Sequence, residues 1–166
     1  MIRKGIKMKI LEMISKTKTK MALRSTLTVW AENIEEYMDG FMGELKESYN
    51  TYDLVSMADK SKPYSSPFSS AKYQEDLLEI RKSVLSNLDI AKVAIEENRK
   101  LVDTMHDTGK LEDDFYTEMT DLYEEVNYMI LMAIIQVDVI LAKYKGSTSI
   151  DLTVDFNDET VHVSSL

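Results

Sequence analysis

The run Met129-Ile-Leu-Met-Ala-Ile-Ile-Gln-Val-Asp-Val-Ile-Leu-Ala142 constrains the fold more than any other stretch of this chain. The residues just before it are apolar on one helical face only. Within it, nearly every position is apolar. A helix that passes from one greasy face to greasy all round is enclosed by neighbours on most sides. At about 14 residues the run is short of the roughly 20 needed to cross a bilayer, and it contains Gln136 and Asp138. It predicts the central helix of a soluble bundle, or a helix enclosed between subunits.

Upstream, two further apolar stripes repeat every three or four residues. Leu23, Leu27, Trp30, Ile34, Tyr37, Phe41, Leu45, Tyr49 and Tyr52 mark a first long helix. Gly40 and Gly43 interrupt it, which predicts either a kink or a close backbone approach. The segment Lys60-Ser-Lys-Pro-Tyr-Ser-Ser-Pro-Phe-Ser-Ser70 reads as a loop, because each proline biases the residue before it away from helix. Ser70 is placed to cap a second helix running from about Ala71 to His106. Gly109 is the expected left-handed residue of a tight turn, which makes the next helix an antiparallel neighbour.

The third helix is expected to start near Lys110, with Glu112, Asp113 and Asp114 favoured by the dipole in its first turn. Its stripe reads Phe115, Met119, Leu122, Val126, Ile130, Ala133, Val137, Ile140 and Tyr144. Lys143, Lys145 and Gly146 form its stop signal. The pattern then changes period: Ile150–Phe156 and Val161–Val163 alternate strictly around Asn157-Asp-Glu159, which predicts a β-hairpin. The fold expected is mainly α, an antiparallel bundle of three long helices with a short basic N-terminal amphipathic helix and a C-terminal β-hairpin. The corresponding regions are a basic amphipathic arm at 1–20, a bundle at 21–146 and a hairpin tail at 147–166.

Charge is distributed unevenly. Residues 1–24 contain eight Lys or Arg against Glu12 alone, in a chain whose net charge is −9, so residues 25–166 carry −16. Ile2, Ile6, Ile10, Met13 and Ile14 recur at helical spacing among these cations, and Ser15-Lys-Thr-Lys-Thr-Lys20 reads as a hinge. A basic head on an acidic body fits three partners: acidic surfaces of this chain or of another copy, an anionic membrane surface through residues 1–14, or nucleic acid. Nucleic acid fits least, since the head has no aromatics and the body repels phosphate.

Chemistry-bearing constellations are few. The chain has no cysteine and two histidines, with no secretory signal. Asp103 and His106 sit three apart, but a carboxylate-bridged metal bundle needs two Glu-x-x-His pairs and two further glutamates; His106 is expected to interact with free carbonyls at its helix end. Glu96–Glu97 and Glu124–Glu125 are adjacent pairs on solvated faces rather than opposed carboxylates in a cleft. Asp138 is expected on a wet stripe, or else paired with a lysine from another helix or subunit. The aromatics Tyr49, Tyr52, Tyr64, Phe68 and Tyr73 either form an interface or cover a bundle end.

Long helices, a basic amphipathic arm and a strand-forming tail resemble, in general layout, the small helical assembly components of phage particles. The function expected is non-catalytic: a structural or assembly protein that self-associates or docks into a larger complex, with no catalytic residue, metal or cofactor. The alternative is a peripheral membrane-binding protein anchored by its N-terminus. Contacts with neighbouring copies are expected through Ile6, Ile10, Met13, Ile134, Val154 and Phe156. The expected location is cytoplasmic, in a virion or at a membrane.

Overall fold

Three long helices account for most of the chain: α1 (Ile2–Ala58), α2 (Ala71–Asp107) and α3 (Asp113–Lys145). A short 3-10 turn, Pro67–Ser69, precedes α2, and two strands follow α3: β1 (Ile150–Asp155) and β2 (Thr160–Ser165). This computed structural model describes the backbone of residues 2–146, 150–155 and 160–165, and the side chains of residues 10, 11 and 16–146.

The first helix departs from expectation. Residues 2–58 form one uninterrupted helix, so the separate arm helix and the hinge at 15–20 are replaced by continuous α-helix. The physical reason is that the 15–20 stretch has neither proline nor glycine. Three of its residues are lysine, a good helix former, and extending an existing helix through threonine or serine costs only tenths of a kcal/mol per residue. Threonines elsewhere in α1 do not break it either: Thr26 and Thr28 donate their hydroxyls to the carbonyls of Ala22 and Arg24. Gly40 and Gly43 likewise sit inside unbroken helix, both exposed. A Cβ built on either meets nothing within 4 Å, so no close approach within the chain requires glycine there.

The remaining boundaries follow the local signals. Ser70 caps α2 by accepting a hydrogen bond from the Tyr73 amide. Gly109 and Gly146 both have positive φ, at 74° and 79°, where a side chain is strained. Asp113 and Asp114 occupy the first turn of α3, with Glu112 one residue outside it as the cap.

All three helices contribute to one core. Leu27, Ile34 and Leu45 from α1 meet Leu77, Leu88 and Ile95 from α2 and Met119, Ile130 and Val137 from α3. On α3 the buried line passes through Tyr123 and Leu141 rather than Leu122 and Ile140, which are half-buried beside it. Met119, Val126 and Ala133 recur at heptad spacing, as do Tyr123, Ile130 and Val137. Phe115 and Leu141 extend the seam by steps of four at either end, so the rotation of α3 against its two partners decides which apolar neighbour is enclosed.

The two strands pair antiparallel, with Ile150 opposite Ser165, Leu152 opposite Val163 and Val154 opposite Val161. The expected turn at 157–159 and Phe156 lie outside the described residues. β2 runs beside α3. Outward positions of α2 remain open, with Ile90 56% and Leu101 53% exposed. On α3, by contrast, Leu131, Ile135 and Val139 are half-buried and Ala142 is buried, although α-helical geometry turns Ala142 about 140° from the core seam.

Candidate functional site

The base of the basic region is tied to the turn between α2 and α3. Lys20 Nζ lies 3.6 Å from Glu112, and Arg24 donates to Glu118 at 2.7 Å. Both cations also lie 5.2 Å from the centre of the Phe115 ring. Leu23 and Leu111 are buried nearby. Lys16 and Lys20 line a shallow recess with Gly109, Lys110 and Asp113. At the foot of the basic region, Lys20 and Arg24 thus pair with carboxylates of the same chain. Further towards the N-terminus the described side chains are open: Ile10 is 51% and Leu11 56% exposed. The fourteen residues from Ile2 to Ser15 span about 20 Å of helix.

The opposite end of the bundle carries the aromatic group. Tyr73 is fully buried and donates its hydroxyl to the Tyr144 carbonyl at 2.6 Å. Tyr49 packs against Tyr73, Tyr144 and Phe68, and Tyr52 packs edge-on against Tyr73. These rings close the bundle end. Phe68 also seats over Gly146, where an added Cβ would come within 2.9 Å of the ring. The outer members stay open, as do the last turns of α1: Leu54, Val55, Met57 and Tyr64 are all more than half exposed. Beside them a groove of about 600 Å³ between α1 and α2 is lined by Glu44, Glu47, Asp76 and Glu79, with Lys72 its one cation and Ile80 and Tyr52 on its walls. Tyr52 donates to Asp76 at 2.6 Å, and that hydrogen bond raises the phenol above its ordinary range.

A second concavity of about 290 Å³ lies between α2 and α3. Ile134, expected at a partner interface, is half-buried on its wall with Ile130 and Leu131; Lys92 and Arg99 stand on the α2 side and Glu124 on the α3 side. Glu125, like Glu96 and Glu97, is solvent-exposed.

Asp138 and His106 take partners other than those named. Asp138 is not on a wet stripe: it pairs across to another helix, the second of its two readings, but with an arginine in place of a lysine, its side chain 12% exposed and accepting from Arg81 of α2 at 2.8 Å and 3.4 Å. His106 does not bind the helix-end carbonyls, because the amides of Thr108, Gly109 and Lys110 occupy those of Thr104, His106 and Met105. Its Nε2 instead lies 2.7 Å from Asp113 at the start of α3. The imidazole stacks on Tyr116 at 3.9 Å and 8°, and Tyr116 donates to Asp103 at 2.6 Å. Asp103 and His106 therefore pin the α2–α3 turn from two sides. Among the described residues no group of three His, Asp or Glu is placed to hold a metal ion.

Of the residues expected at interfaces, Ile10 is exposed on the arm and Ile134 lines the α2–α3 cleft. Ile6 and Met13 lie in α1 and Val154 in β1, with side chains outside the described set. The structure does not bring the three groups together: the arm lies at one end of α1, the cleft between α2 and α3, the strands after α3. The acidic groove and the exposed Leu54, Val55 and Met57 escaped the sequence reading. Their only signal was apolar residues continuing past Tyr52 off the established stripe. By length and apolarity α3 is able to cross a bilayer, although here it packs between α1 and α2. No family model, curated protein or solved structure matches this chain.

Proposed function

We propose that this is a non-catalytic assembly protein whose copies associate through the basic extension of α1, as a component of a larger particle or complex. The observation that carries this reading is the continuity of α1 past the bundle. A helical extension gains most of its stability from packing an apolar face against a neighbour, and this one holds Ile10 and Leu11 half-exposed among lysines. Such a face is stabilised by an acidic, partly apolar surface. The body of the same protein, at −16 over residues 25–166, supplies the charge. The strand pair beside α3 adds a further surface, since among the described residues each of the two strands is paired along one edge only.

Light scattering over a concentration series tests this. The full chain is expected to exceed the monomer mass of 19.1 kDa. The excess should shrink between about 0.1 M and about 1 M salt, as the Debye length falls from roughly 10 to roughly 3 Å. A chain lacking residues 2–15 should stay monomeric at every concentration. A full chain that is monomeric throughout refutes the reading.

The second reading, a peripheral membrane protein, draws on the same cations and exposed apolar residues. Flotation of the full chain, but not the truncated one, with anionic vesicles under conditions where it remains monomeric would favour it.

A further inference from the structure

We infer that the basic extension of α1 docks onto the far end of the bundle of a second copy, across the acidic α1–α2 groove and the adjoining apolar patch, so that copies join head to tail. This rests on the self-association proposed above and assigns its surface.

The direction of α1 rules out the same chain as acceptor. The extension leaves the bundle beside the α2–α3 turn, where Lys20 meets Glu112. The groove and the patch lie near the other end of the same helix, around Glu47 and Leu54. From Lys20 to Leu54 the helix rises about 50 Å. A helix unbroken from Ile2 to Ala58 does not turn back over that distance.

The chemistry of the far end matches a basic amphipathic helix on both counts. Glu44, Glu47, Asp76 and Glu79 line the groove against Lys72, whereas residues 1–24 hold eight cations against one carboxylate. Leu54 and Val55, each 63% exposed, follow Glu47 and Thr51 of the groove by seven and four residues, so both flank its acidic face, and Met57, 59% exposed, lies further round α1. The concavity between α2 and α3 fits worse. Its α2 side carries Lys92 and Arg99, which repel the arm. A contact between unlike surfaces, arm to far end, is heterologous and repeats from copy to copy, so it generates a ring or an open filament.

Because the chain has no cysteine, single cysteines report the contact directly. Leu11→Cys and Leu54→Cys chains, both exposed positions, are mixed and treated with a short bismaleimide. A cross-link joining the two different variants is expected, and a chain carrying both changes should give a ladder of products. Glu47→Lys with Glu79→Lys should weaken association roughly tenfold or more at low salt, a change of about 1.4 kcal/mol or above, with helical circular dichroism unchanged. Association that survives the double charge reversal, or that links Leu11→Cys only to itself, overturns this docking while leaving self-association standing. A full chain that is monomeric throughout overturns both. Vesicles containing phosphatidylserine that bind the chain equally with and without the charge reversal, with no chain-to-chain cross-link, assign the arm to a membrane instead and overturn the docking.

Discussion

Gly40 and Gly43 give the sharpest test of how α1 is built. Both are exposed and lie within a single 57-residue helix, and an added Cβ at either meets nothing within 4 Å. Glycine in a helix interior costs roughly 0.8–1.0 kcal/mol relative to alanine, mainly because the unfolded chain loses more backbone freedom. Gly40→Ala and Gly43→Ala should therefore stabilise the protein by roughly 1.5–2 kcal/mol together, with little lost to new contacts. For a chain of this size each kcal/mol raises Tm by about 2–4 °C, so a rise of about 3–8 °C is expected. Urea unfolding followed by circular dichroism at 222 nm measures the free energy directly, and an unchanged m-value shows that the same surface is exposed. Destabilisation of the isolated monomer would refute the reasoning, since it requires the helix to bend there or to be touched. Stabilisation of the monomer with loss of association would place this face between copies instead.

Tyr123 is 1% exposed, and its hydroxyl has no hydrogen-bond partner among the described residues. Tyr123→Phe removes a buried, unsatisfied group and should raise stability by about 1 kcal/mol in urea unfolding; a loss of that size would mean the hydroxyl is bonded. Burial, with the Asp103 charge secondary and Arg99 opposing, pushes the Tyr123 phenol up to about 12. Burial first, then the neighbouring Tyr49 and Tyr144, does the same for Tyr73. A folded-state value raised above the unfolded one of about 10 gives stability that is complete below pH ~10 and lost as pH rises to ~12, by up to roughly 1.4 kcal/mol per pH unit per group. Absorbance at about 295 nm should show these two phenols ionising only as the helix unfolds; ionisation near pH 10 in the folded protein would contradict it. Arg81→Met leaves the Asp138 carboxylate, 12% exposed, without its partner, and should cost about 1–3 kcal/mol. This is less than for a dry pair because Arg81 is itself 37% exposed and screened. Adding Asp138→Leu should recover most of that loss, and a cycle with no coupling would refute the pairing.

The local signals were legible because each is settled within a few residues. Ser70 caps because its own hydroxyl reaches the Tyr73 amide. Gly109 and Gly146 end helices because only glycine accepts positive φ cheaply there. The apolar stripes predicted three helices because one face must leave water whichever neighbour covers it. The candidate surfaces were less legible. The cations of residues 1–24 and the exposed Ile10 are visible in sequence, whereas the acidic groove joins Glu44 and Glu47 to Asp76 and Glu79 across two helices.

By itself, the amino-acid sequence determined the helical class, the caps and turns, the basic head and the acidic body, all of which depend on residue type and short-range spacing. Tertiary structure decided what depends on the relative rotation and extent of the helices. It selected Tyr123 and Leu141 over Leu122 and Ile140 for the core, because which of two neighbouring apolar positions is enclosed depends on how α3 is rotated against α1 and α2. It placed Arg81 opposite Asp138, 57 residues away. Where the bundle stops along α1 was also decided there: the α2–α3 turn lies beside Lys20, and Ile10 and Leu11 beyond it are exposed among the described side chains.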